Sequence, residues 1–85
     1  MEPDTGEIYD LRGLNCPLPL LKIRKRLSES APGSLLVAET TDALAVIDVP
    51  HFCSQYGHEM IACHKVDGGH RFTIRNGGSQ SNFTP

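Results

Sequence analysis

The 85-residue chain carries 8 Lys and Arg against 10 Asp and Glu, a net charge of −2, and that length supports one small core with no separate substrate domain. A pI of about 6.0 excludes a surface devoted wholly to nucleic acid, and the lack of an 18-residue apolar run in the sequence excludes a membrane-spanning helix. Three cysteines are an odd number, which fits reduced thiols better than a disulfide framework. Residues 1–7 are acidic and polar, without the basic start and apolar centre of an export signal, so a cytoplasmic protein is expected.

In chain order, residues 1–7 read as a flexible start. Residues 8–12 alternate and lead into Gly13, which predicts a first strand with Tyr9 and Leu11 facing inward. Cys16 then stands before Pro17 and Pro19, where a helix can begin because proline fixes φ near the helical value. From Pro17 to about residue 30 the spacing is helical, with Leu20, Ile23 and Leu27 on one stripe facing the core. Leu18 and Leu21 fall on the other side beside Lys22 and Lys25, a mixed apolar and basic surface. Ala31-Pro32-Gly33 stops the helix. The apolar run within residues 34–40 predicts a buried strand, parallel to the first across a right-handed crossover.

Asp42 is expected to cap a second helix. Ala45, Val46, Val49, Phe52, Cys53 and Tyr56 share one side of its wheel, so Cys53 reads as core. Pro50 interrupts the pattern and predicts a short first turn followed by a restart. Gly57 is the expected left-handed cap. Residues 59–66 and 70–75 flank Asp67-Gly68-Gly69, a hairpin signal, with Phe72 and Ile74 facing one way. Residues 60–66 carry apolar groups on both faces, which leaves Cys63 unassigned. Residues 76–85 read as a disordered tail, leaving one domain over 8–75. Both helices have one apolar face, and so small a chain favours an α/β two-layer sandwich with the helices on one side of one sheet.

The residue suited to chemistry is Cys16. Free N–H groups and the macrodipole at a helix start favour an anion, and cysteines so placed have pKa values of about 3.5 to 7.5. Gly13, Asn15, Pro17 and Pro19 describe a surface turn around it. Asp10 and Arg12 either order that turn or, for Arg12, assist the thiolate. His51, His58, His64 and His70 show no compact ligand spacing with the cysteines, so no metal site is expected, and His58 reads as structural. No Cys-x-x-Cys is present.

Gly13-Leu14-Asn15-Cys16-Pro17-Leu18-Pro19, preceded by Asp10 and followed by a helix, resembles the signature of the TusA/SirA-type sulfur-carrier family. The likeness continues through Thr41-Asp42, Asp48-Val49-Pro50, Phe52-Cys53 and Gly57-His58, and so spans about residues 8 to 75. The resemblance implies a βαβαββ two-layer sandwich with a mixed four-stranded sheet, similar to the C-terminal domain of translation initiation factor three. It implies that Cys16 accepts sulfane sulfur as a persulfide from a cysteine desulfurase or another donor and relays it to an acceptor protein, as in tRNA wobble-uridine thiolation, sulfur oxidation, or selenium or molybdenum cofactor metabolism. The protein would be a carrier rather than a self-contained enzyme, with no cofactor beyond the transient sulfur and no direct nucleic-acid or membrane partner. Gly13, Pro17 and Pro19, with Asp10 and Arg12, would support the motif, and Leu18, Leu21, Lys22 and Lys25 would meet partners. Many members have Asp-Pro where this chain has Asp42-Ala43. A non-catalytic regulatory or interaction module of the same fold is the competing expectation.

Overall fold

The computed structural model describes residues 8–77; the expected flexible start, and the expected tail from residue 78 onward, lie outside them. The element order is β1 (Tyr9–Leu11), α1 (Leu18–Ser28), β2 (Leu35–Thr40), α2 (Ala45–Tyr56), β3 (Glu59–Val66) and β4 (Gly69–Arg75). The four strands form one sheet in the order β1-β2-β4-β3. Strands β1 and β2 run parallel, as a helical crossover requires, while β4 runs antiparallel to both β2 and β3.

A single apolar core lies between one face of this sheet and the two helices. Leu11, Leu36, Ala38, Phe72 and Ile74 come from the strands; Ile23, Leu27, Ala45, Val49, Phe52 and Cys53 come from the helices. Tyr9 packs against that core, and the Arg26 guanidinium lies 3.8 Å above its ring, which fastens α1 to the sheet edge by a cation–π contact. Gly57 ends α2 at φ 80°, and its N–H bonds to the Cys53 carbonyl, the left-handed cap read from the sequence.

Three expectations need correction. Helix α2 runs unbroken through Pro50: the proline removes only the bond to the Val46 carbonyl, and Val46 is exposed, so water can satisfy that group. Val46 itself is not core, because it lies roughly 75° from the centre of the buried arc, at the uncovered start of the helix. Asp42 caps the turn ahead of α2 rather than the helix: its Oδ1 accepts the Leu44 N–H at 3.4 Å and its carbonyl the Ala45 N–H at 3.1 Å.

The ambiguity in β3 has a physical source. A bulge between Met60 and Ala62 switches parity, so that Met60 pairs with inward Ile74 and Cys63 with inward Phe72, and no single alternation describes the strand. Cys63 is exposed on this edge strand.

The tail does not begin at residue 76. Asn76 is 1% exposed, and its Nδ2 donates to the carbonyls of Leu27, Ser30 and Ala31 at 2.8, 2.9 and 3.2 Å. The Leu27 and Ala31 carbonyls also accept the main-chain N–H groups of Ser30 and Ser34, so Asn76 adds a second donor to these and braces the end of α1 from the far end of β4. Beside it Gly77 donates its N–H to Nδ1 of the buried His58 at 3.0 Å.

That bond requires a neutral imidazole, and burial lowers the His58 pKa below its ordinary 6.5. The unfolded chain binds this proton at a higher pH than the native state does, so stability is unaffected well above pH 6.5 and falls as pH drops below it. Urea unfolding should therefore show lower stability at pH 5.5 than at pH 7.5, and His58→Asn, which keeps an acceptor without a titratable ring, should lose most of that difference. An unchanged pH difference in the variant would remove His58 as its origin.

Candidate functional site

The loop that carries Cys16 is fixed at both ends. Gly13 adopts φ 88°, a left-handed value that glycine enters without steric cost, and its N–H donates to Thr41 Oγ1 at 2.8 Å. Asp10 Oδ1 accepts from the Arg12 N–H at 3.1 Å and from Arg12 Nε at 3.2 Å. The Arg12 backbone N–H and then its guanidinium hold the Asp10 carboxyl below its ordinary pKa. Arg12 Nε also stands 3.9 Å from Glu39 Oε1, so Arg12 is tied to carboxylates of the turn and the sheet rather than to the thiol.

After the turn, the Asn15 carbonyl accepts the Leu18 N–H at 2.8 Å and the Pro17 carbonyl accepts the Leu21 N–H at 3.0 Å. The Cys16–Pro17 peptide is cis. Pro17 occupies the N-cap position of α1, and Pro19, buried, sits in its first turn. The helix start is therefore largely spent: Leu18 and Leu21 donors are engaged and Pro19 has none.

Cys16 is exposed, and its Sγ donates to Asp48 Oδ2 at 3.5 Å. Asp48 lies in the first turn of α2, where the macrodipole favours a carboxylate. The thiol thus stands at the seam between two helix starts, in a notch formed with Pro19, Leu20, Asp42, Ala45, Asp48 and Val49 that is too tight to admit a water molecule. The expected lowering of the Cys16 pKa is overturned. Desolvation first, then the Asp48 hydrogen bond and the charges of Asp48 and Asp42, push it above the ordinary thiol value, since burial and nearby carboxylates both disfavour the thiolate.

The other two cysteines are set apart. Burial pushes the Cys53 thiol up to about 11, which leaves it uncharged and unreactive at neutral pH. Cys63 lies on β3, at the opposite edge of the sheet from β1. All three are free. Among the described residues no three His, Cys, Asp or Glu side chains gather closely enough to hold a metal ion, and no helix is long and apolar enough to cross a membrane.

On α1, Leu18 and Leu21 are 46% and 48% exposed, with Lys22 also exposed. Lys25 bonds to Glu29 at 2.9 Å, one turn along. Leu44 and Ile47, at 50% and 64%, add exposed apolar groups at the start of α2. Between the helices a groove of about 220 Å³ is lined by Leu20, Leu21, Arg24, Asp48, His51, Phe52, Gln55 and Tyr56. Sequence reading did not single out Asp48 as a neighbour of the thiol, nor Leu44 and Ile47 as exposed apolar groups. The exposed face of α2 was visible in its wheel, but nothing local placed Asp48 beside a cysteine 32 residues earlier.

Residues 7–76 match the family described as Sulfurtransferase TusA. The chain is 37% identical over 75 residues to the sulfur carrier protein TusA of Pseudomonas aeruginosa strain LESB58, covering 88% of this chain and 95% of that one. The TusA of Pseudomonas paraeruginosa matches with the same identity and coverage, 37%, 88% and 95%. The fold is similar to the crystal structure of a SirA-like protein from Desulfitobacterium hafniense, with a TM-score of 0.71 and 21% identity over 82% of this chain and 96% of that one.

Proposed function

Because the chain belongs to the TusA sulfurtransferase family, we propose that it accepts sulfane sulfur on Cys16 as a persulfide and relays it to an acceptor protein. The observation that carries this reading is an exposed thiol at the seam between two helix starts, where another protein can reach it. A carrier needs a sulfur that its donor and acceptor proteins can both reach.

In the loading step the Cys16 thiolate attacks the outer sulfur of a donor persulfide. The donor S–S bond breaks, its cysteine leaves as a thiolate, and one S–S bond forms on Cys16, so no oxidant or reductant is consumed. The added sulfur waits for an external acceptor because Cys53 is buried and Cys63 lies across the sheet. Leu18 and Leu21 on α1 and Leu44 and Ile47 at the start of α2 offer exposed apolar contact, and Lys22 and Lys25 supply charge that steers an acidic partner. A cysteine desulfurase is the proposed donor, with tRNA thiolation as one destination.

Incubation with a cysteine desulfurase and cysteine should add one sulfur mass to the intact protein, mapped to Cys16, and Cys16→Ser should abolish the addition while Cys63→Ser keeps it. Undiminished uptake in Cys16→Ser would overturn the proposal. The competing interaction module requires the opposite pattern in cells, with Cys16→Ser functional and Leu18→Glu not.

A further inference from the structure

The contact between Sγ and Asp48 has a direction. A carboxylate accepts a hydrogen bond from S–H and repels S⁻, so the 3.5 Å approach of Oδ2 to Sγ stabilises one protonation state of the sulfur over the other. We propose that Asp48 is a positioning residue that keeps the unloaded Cys16 thiol protonated and turned into the notch, so that loading begins with the loss of this contact. The inference rests on Cys16 as the sulfur-bearing residue and adds to it a device that makes the empty carrier inert.

The surroundings of the pair support this assignment. Asp42, from the turn ahead of α2, lines the same notch and adds negative charge. Arg24 of α1 and His51 of α2 share the inter-helix groove with Asp48, yet the sulfur's hydrogen bond goes to the carboxylate. Asp48 borders both the notch and the groove, so a protein seated along the groove reaches its carboxylate without entering the notch. A cationic side chain placed there would neutralise the charge that holds the proton on sulfur.

Loading changes the balance. The added sulfur stands one S–S bond farther from Asp48, and a persulfide is a stronger acid than a thiol. At neutral pH the empty carrier therefore presents a neutral S–H, and the loaded carrier presents an anionic outer sulfur.

The test needs no sulfur donor, so its failure is separable from failure of the carrier reading. Alkylation of Cys16 by iodoacetamide, followed across pH by peptide mass spectrometry, should show a midpoint in the native protein above that of the same thiol in urea. Asp48→Asn, which keeps a hydrogen-bond acceptor and removes the charge, should lower the native midpoint and raise the rate at pH 7 by about 3- to 10-fold. Asp42→Asn should move it less. A native midpoint at or below the urea value would overturn the proposal without any variant. So would an Asp48→Asn profile that superimposes on wild type, or an Asp42→Asn shift equal to that of Asp48→Asn.

Discussion

Asn76→Ala lowers the unfolding free energy by about 2–4 kcal/mol, through the loss of three side-chain hydrogen bonds and of a buried, well-packed amide, although the Leu27 and Ala31 carbonyls keep their main-chain donors. The side chain has two amide protons for three acceptors, Leu27, Ser30 and Ala31, so one bond is shared. Its main chain is held as well, by Asn76 N–H to the Ser34 carbonyl at 2.8 Å and Gly33 N–H to the Asn76 carbonyl at 2.7 Å, and those bonds survive the substitution. Asn76→Asp should be worse than alanine at pH 7, since it directs carboxylate oxygens at carbonyl oxygens. For a domain of this size, whose total stability is roughly 4–13 kcal/mol, the alanine variant should melt about 10–20 °C below wild type. Thermal unfolding read by far-ultraviolet circular dichroism checks both variants, and a drop of under about 1 kcal/mol would mean that water caps the helix equally well.

Gly69→Ala costs about 3 kcal/mol or more, at the upper end of overpacking penalties. A Cβ at Gly69 would collide with the Thr40 carbonyl and the Thr41 Cα. Those are main-chain atoms that cannot swing aside. The end of the β2–β4 ladder, where Thr40 pairs with His70, must open, and Thr41 moves with it. Thr41 Oγ1 holds the Gly13 N–H, so the strain passes into the loop that carries Cys16. Gly68→Ala provides the contrast: Gly68 has φ 80° with nothing near its absent Cβ, which costs only the roughly 1–2 kcal/mol of a left-handed residue. Urea unfolding of the two variants side by side should find the Gly69 change clearly worse, and equal penalties would place the effect in turn conformation instead of the close approach.

Much of the fold was legible because it rests on local rules. The stripe of Ile23 and Leu27, the glycine after Tyr56 and the Asp67-Gly68-Gly69 turn each state their structure within a few residues. The cysteine at the helix start was equally visible. What escaped depends on partners far away in the chain. Asn76 sits in a stretch of polar and small residues, and only the α1 carbonyls brought to it by the sheet make it core. Asp48 reads as an ordinary helix-start acid until the two helices pack and set it against Sγ. Desolvation in the notch, and then the Asp48 hydrogen bond and charge, push the thiol opposite to the expected tuning, and both arise only when the two helices pack. The helix through Pro50 survives on packing by Val49, Phe52 and Cys53, which propensity does not count.

Asn76 is followed by Gly77, the dipeptide in which a main-chain nitrogen attacks the preceding side-chain amide with least hindrance and converts asparagine to aspartate. In the folded protein both nitrogens of that reaction are engaged: the departing amide nitrogen by three carbonyls, the attacking Gly77 nitrogen by His58. Opening of this corner releases them together. An aspartate formed there can no longer close α1, so the damage favours the opening that allowed it, and the protein ages chemically at a rate set by how often its β4 end comes undone.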